Sequence, residues 1–389
     1  MRLYLTALNP TDAVLEGFLP AAASLGLPVT VLTDRPEQWP AHVPAVRCAI
    51  RDAAAVVAAT AGDQPAALLS NSDHLQEVTA IAARKLGLPG KDPEAARLCK
   101  DKAATRRAIT AAGLDLVRTV TVDPGAAPAV PAEMFPAVVK PREGVASEDA
   151  YLVADHRDLT NRIADIRDRR PEAALVVEEY LTGELGTFDT LGDGTTLAVL
   201  GGWRTRLGPP PTFTEECLDW SPPPKHVDAQ LRVYLAALGV GLGACHTEYV
   251  VQKDRVRLIE VNYRLIGDRM DLILADLLGV PLFEYVLRLH LGEPLAALGL
   301  PAAVDRHARV EYVCADRPGR LAAAPGPLDT VFGEVRLGCR PLREVGRIAD
   351  HTGTNRDYLA ALHAIGPDQD SVRASLAAFR EGLRWTIVE

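Results

Sequence analysis

Apolar positions in this chain come in short runs, and over residues 1–90 strand-like and helix-like runs alternate. Residues 3–8 and 29–32 read as strands and 12–25 as a helix, with further signals at 54–61 and 66–70. That alternation predicts a small parallel α/β domain of Rossmann-like order. The first strand runs into Asn9 and Pro10 without a GxGxxG, so a dinucleotide site is poorly supported. Ser70, Asn71, Ser72 and Asp73 follow a strand, where α/β ligand sites often lie, and equally suit a helix cap ahead of His74.

Beyond the LGLPG turn at 86–90, a polar helical stretch over 92–112 leads into a strand over 114–122. A looser segment, DPGAAPAVPAE, bridges to a strand ending in VVKP; a further apolar run at 174–177 carries Glu178, Glu179, Tyr180 and Leu181. Strand signals recur at 187–191 and 197–201, and prolines at 209–211 and 222–224 bracket what reads as a loop-rich insertion. From about residue 306 onward, short strand signals and a final helix over 370–383 predict a small α+β appendage.

The densest polar pattern lies at 246–264, HTEYVVQKDRVRLIEVNYR. Strand side chains alternate between faces, so Glu260, Asn262 and Arg264 share one face while Ile259 and Val261 take the other. A three-residue loop of Lys253, Asp254 and Arg255 would pair Gln252 with Val256, which sets Glu248 opposite Glu260 and His246 opposite Asn262. Like charges directly opposite on a sheet repel, so one reading places a hard cation such as Mg2+ between them. The other is a solvated hairpin face on which Arg264 balances two glutamates.

The bulk numbers narrow the class. At 389 residues the chain exceeds one ordinary core, and 48% hydrophobic with 24% charged residues is a soluble globular composition. With a formal charge of -9 and no Lys/Arg stripe, nucleic acid is disfavoured as a partner. The N-terminal MRLYLTALNP reads as a first strand rather than a signal peptide, and no stretch reaches membrane-span length. Six cysteines without CxxC spacing read as buried thiols of a reducing compartment, which makes a cytoplasmic location the expectation.

Two lysines stand out. Lys140 ends a buried apolar strand, where its charge calls for an anion such as phosphate unless the side chain snorkels out; Lys102 sits in a helical CKDKAATRR segment. The order of parts then resembles a known family. Lys102 in a DK pair ahead of an AGL turn, VVKP, a polar loop, VEEYLTGE, HTE and EVNYR look like the motifs of ATP-grasp carboxylate–amine ligases, over roughly residues 86–294.

That resemblance implies a multidomain α/β and α+β protein with four parts. These are a Rossmann-like pre-ATP-grasp domain (1–95), a small subdomain with the phosphate lid (96–180), a large subdomain with the Mg2+ site (181–300) and the α+β appendage (301–389). It implies ATP and Mg2+, or Mn2+, as cofactors. Lys102 and Lys140 match the phosphate-contacting lysines, Gly144 and Ser147 belong to the lid, and the backbone from Glu178 through Glu179 and Tyr180 to Leu181 is the adenine-reading hinge. Glu248, Glu260 and Asn262 match the metal ligands, while His246 and Arg264 face the transferring phosphoryl group or substrate carboxylate.

The implied reaction converts a carboxylate into an acyl phosphate with release of ADP, after which an amine forms the amide. Arg204, Arg206 and Glu215 border the substrate pocket in similar ligases, and equally read as charges of a surface loop. The partners are then small-molecule carboxylates and amines, with a homodimer as a candidate assembly. The run NYRLIGDRMDLILADLLGVPLFE, with Tyr263 where many relatives carry proline, adds a likeness to ligases of siderophore and peptide natural-product pathways. A phosphotransferase and a non-catalytic nucleotide-binding protein are the alternatives.

Two departures from the family pattern stand out. The lid sequence GVASED offers only Gly144 and Ser147 and adds Glu148 and Asp149, and the ribose-binding position holds Leu185, with Glu184 as the substitute on the other strand face.

Overall fold

The computed structural model describes residues 1–114 and 117–389, so the predicted strand over 114–122 falls partly outside the described residues. In the N-terminal unit, β1 (Arg2–Thr6) pairs in parallel with β2 (Val29–Thr33) and β4 (Pro65–Leu69), and β3 (Ala45–Arg47) flanks β2. All five residues of β2 are buried, as expected of a parallel strand covered on both faces. The covering helices are α1 (Leu19–Ser24), entered through a π-type turn at Ala13–Phe18, then α2 (Ala53–Ala59) and α3 (Gln76–Lys85).

The helix expected over 92–112 is broken in two, α4 (Pro93–Lys100) and α5 (Lys102–Ala111). Asp92 caps the first, accepting from the Ala95 N–H at 3.0 Å, with Pro93 at the first helical position. Asp101 is extended and accepts from the N–H groups of Ala103 and Ala104 at 2.9 and 3.2 Å. A side chain that caps a helix cannot also continue one, and Lys102 thereby becomes the first residue of α5.

Next comes an antiparallel sheet of β5 (Thr119–Val122), β6 (Ala137–Pro141), β7 (Tyr151–Val153) and β8 (Leu175–Glu179), ordered β5-β8-β6-β7. Helix α6 (His156–Arg169) packs Leu159, Ile163 and Ile166 against its apolar face.

The remainder builds a ten-stranded sheet. It begins with β9 (Glu184–Asp193), β10 (Leu197–Gly201), β11 (Trp203–Leu207) and β12 (Glu215–Trp220), so the expected loop-rich insertion contains a strand. Helix α7 (Lys225–Ala237) leads to β13 (Leu242–Gln252) and β14 (Arg255–Asn262), followed by α8 (Met270–Leu278), α9 (Leu282–His290) and β15 (His307–Cys314). The C-terminal strands are β16 (Gly319–Ala323), β17 (Leu328–Phe332), β18 (Val335–Pro341), β19 (Ile348–Ala349) and β20 (Tyr358–Gly366), then α10 (Gln369–Glu381) and β21 (Thr386–Val388). Of these, β17, β18 and β20 join the large sheet through β15, which pairs with β12; β16, β19 and β21 form a small separate sheet. Among the described residues no helix is long and apolar enough to cross a membrane.

The β13–β14 hairpin reaches the expected facing pairs by another route. Lys253 and Asp254 both have positive φ, 48° and 65°, the signature of a two-residue turn, so Gln252 pairs with Arg255 rather than Val256. A bulge then restores the register: Tyr249 faces Leu258, Glu248 faces Glu260, and Ile259 is the extra residue. His246 ends opposite Asn262.

Candidate functional site

A cavity of about 390 Å3 opens between the β5–β8 sheet and the ten-stranded sheet. Its floor is the hairpin face with His246, Glu248, Glu260 and Asn262. The Asn262 amide donates to Glu260 Oε1 at 2.9 Å, leaving its own oxygen as an acceptor, and Lys102 Nζ lies 2.8 Å from Glu260 Oε2. Burial works against the Glu260 charge, yet Lys102 and Lys140 hold its carboxyl well below the usual range. Glu248 behaves oppositely: burial, then the facing Glu260 and nearby Glu215, push it up to about 8. Among the described residues no three His, Cys, Asp or Glu side chains form a ready metal cage.

Lys140 reaches the cavity from the end of β6 and pairs with Glu178 at 2.9 Å. Glu178 also takes Arg106 at 2.7 and 3.1 Å, and Arg106 donates onward to the carbonyls of Leu258 and Ile259 at 2.6 and 3.0 Å. This buried group ties α5, the small sheet and β14 together. Burial opposes the Glu178 charge, but the two cations hold its carboxyl far below the ordinary value. Glu179 turns to Arg118 and Arg257, while Tyr180 and Leu181 line the cavity, with the Tyr180 ring 6.4 Å from that of Phe213.

The lid between β6 and β7 is held at several points. Gly144 offers its carbonyl to Lys102 at 3.1 Å, and the Ser147 hydroxyl donates to the Phe213 carbonyl at 3.0 Å. Ala146, Ser147 and Asp149 all have φ of 56°, a conformation that a glycine-rich loop adopts more easily. The acidic residues are neutralised from outside the cavity: Glu148 pairs with Arg170 at 2.9 Å and with Arg356, and Asp149 pairs with Arg169 and Arg170 at 2.5 and 3.1 Å.

At the far end, His246 Nδ1 is 2.8 Å from Asp189 Oδ1, a partner that the β9–β13 register brings directly opposite. Burial disfavours the imidazolium, but Asp189 and then Glu248 raise its pKa above the ordinary value. Arg264 stands 3.6 Å from Asp73, which also pairs with Lys100 at 2.5 Å. Asp73 and His74 line the cavity, so the 70–73 loop reaches the site through Asp73, while Ser72, at the cap of the short helical turn that follows, makes no side-chain capping bond. Glu215 shares the lining with Asp268, Tyr312 and Asn355; burial and then Asp268 push its pKa up to about 7.

Three expected site residues lie outside the cavity. Glu184 starts β9 exposed, and its neighbour Leu185 takes the lining position, as strand alternation requires. Arg204 and Arg206 project from the other face of β11, toward Asp219 at 3.8 Å and Glu216 at 3.7 Å. Asp219 also binds Arg309 and Arg373, so this cluster fastens the sheet to α10 rather than receiving a ligand. Conversely, Asp189, Asp268, Asn355 and Arg106 were not singled out from the sequence. Asp189 had a signal, a charged residue in the middle of a strand rather than at its ends.

No family model matches the chain. An uncharacterized protein of Sinorhizobium fredii, y4rH, is 29% identical over 326 residues, which are 78% of this chain but only 64% of that protein. The match thus spans less than two thirds of the relative's length. The structure of an L-amino acid ligase from Bacillus licheniformis superposes with a TM-score of 0.84 at 19% identity, covering 100% of this chain and 99% of that one. Phosphoribosylglycinamide synthetase from Anaerococcus prevotii gives 0.73 at 14%, covering 100% of both chains. A biotin carboxylase complex from Campylobacter jejuni gives 0.69 at 15%, covering 100% of this chain and 92% of that one. The chain has the ATP-grasp fold.

Proposed function

We propose that this chain is an ATP-dependent carboxylate–amine ligase that forms an amide through an acyl phosphate, releasing ADP and phosphate. The observation that carries this reading is the convergence of Lys102, Lys140, Glu248, Glu260 and Asn262, from four separate elements, on one cavity. Two carboxylates and an amide oxygen suit Mg2+ or Mn2+ and are too few for a closed cage, which leaves room for water and substrate phosphate. Burial and then the facing Glu260 push Glu248 up, as expected where two carboxylates are brought together in a buried site. When bound, the ion supplies neutralisation of charge on the phosphoryl oxygens.

In this reading Lys102 and Lys140 hold phosphate oxygens beneath Gly144 and Ser147. The hinge backbone from Glu178 to Leu181 receives adenine, with Tyr180 and Leu181 as its apolar wall. Arg264, oriented by Asp73, stabilises the acceptor carboxylate and the later tetrahedral intermediate; His246, fixed by Asp189, faces the same point. Glu215 receives the ammonium of an amino-acid-like substrate, since a carboxyl pushed up by burial is restored to its charged form by a cation.

The test is ADP release measured across panels of carboxylates and amines, with mass spectrometry of the products. Amine-dependent turnover yielding an amide is the expected result. ADP formation without any amine requirement would overturn the ligase reading in favour of a phosphotransferase, and absence of turnover would favour a non-catalytic nucleotide-binding protein.

A further inference from the structure

Lys91 is a buried lysine that the chemistry above leaves unused. Among the described residues no carboxylate pairs with it, and burial pushes its pKa down to about 7. Its Nζ donates to the Gln76 side-chain oxygen at 2.6 Å and to the backbone carbonyl of Tyr263, and sits 4.5 Å over the Tyr263 ring. An uncompensated lysine in a protein interior is expensive, so a position that keeps one calls for an explanation.

Its two acceptors supply it. Tyr263 lies between Asn262 and Arg264, so a hold on its carbonyl and ring fixes the chain between the floor of the cavity and the residue facing the acceptor. The Tyr263 hydroxyl in turn accepts from the Gly241 N–H at 2.8 Å. On the other side, the Gln76 amide donates to the carbonyls of Ser70 and Ser72 at 3.0 and 2.9 Å, holding the loop that presents Asp73 to Arg264. Strand β13 makes room for this crossing. Gly243 has φ of +91°, and a Cβ there would stand 3.0 Å from the Lys91 Cε and 3.1 Å from the His290 ring.

We infer that Lys91 is a positioning residue: through Tyr263 and Gln76 it clamps the end of β14 to the 70–73 loop, and so sets Asn262 and Arg264 against Asp73. The inference rests on the ligase reading for its catalytic consequence, but the clamp itself does not.

Two readouts on the full-length chain test it. In Lys91→Met, which keeps the stem and removes the donor, kcat should fall by about 10- to 100-fold, the range seen when partners that orient active-site ligands are removed. KM for ATP should change less than about threefold, because the hinge and lysines are untouched. Hydrogen exchange should accelerate jointly at 70–73 and 262–266. Gln76→Leu, which removes the arm toward Ser70 and Ser72, should give the same kcat-against-KM split if Lys91→Met fails to fold.

A folded Lys91→Met protein with kcat within about twofold of wild type, or with faster exchange on one side only, would overturn the proposal. If the wild-type chain turns over no substrate pair, the ligase reading fails and the joint exchange response alone decides the role of Lys91.

Discussion

At the scale of single residues, the site works by dividing charge. Glu260 and Glu178 are each buried beside two cations that hold their carboxyls low; Glu248 and Glu215 are buried near other carboxylates and are pushed up. Glu260→Gln therefore removes the charge that anchors Lys102 and one of the two carboxylates of the proposed metal site. Turnover should fall by at least about 100-fold with the fold retained, read by steady-state kinetics beside circular dichroism. Turnover near wild type would remove the metal assignment.

Glu178→Gln should instead act on stability, because it leaves Lys140 and Arg106 buried without their counter-charge. A loss of about 3–5 kcal/mol is expected in chemical denaturation. The sign with pH follows from the direction of the shift. A folded carboxyl held below its unfolded value of 4.5 contributes fully above that value and loses its contribution as pH falls toward the folded one. The variant should therefore have a flatter acid limb of Tm against pH than the wild type.

At the scale of elements, the lid carries the departure from the expected glycine- and serine-rich loop. Its added negative charges, Glu148 and Asp149, are met by Arg169, Arg170 and Arg356, two from the end of α6 and one from the C-terminal segment. Arg356→Ala should loosen this loop without touching the floor. Faster hydrogen exchange and proteolysis at 143–150 are expected, with the melting temperature little changed, since an exposed pair contributes on the order of 1 kcal/mol or less. Unchanged exchange there would show that the ion pair does not restrain the lid. The hairpin gives the complementary lesson. Its facing pairs were legible because one buried face demands them, whereas its turn and bulge were not, because a one-residue shift in the turn and one in the strand cancel.

At the scale of the whole molecule, the cavity takes residues from the N-terminal unit, both sheets and the C-terminal segment, so a ligand that fills it ties all of them together. A non-hydrolysable ATP analogue with Mg2+ should raise Tm more than either alone, by the equivalent of about 2.7 kcal/mol at a hundredfold excess over Kd. An equal shift without Mg2+ would argue against the floor as a metal site. By itself the sequence determined most of the strands and helices, the order of the motifs and the opposition of Glu248 to Glu260, because these follow from local periodicity and short-range register. It left Arg204, Arg206 and Glu184 as site candidates, since a charged residue at a strand position does not announce which face its neighbours cover. Only the tertiary structure decided that they face away, that Asp73 and Asp189 serve Arg264 and His246, and that Lys91 bridges two units. The partners of a buried charge lie far along the chain, and packing alone brings them within hydrogen-bonding distance.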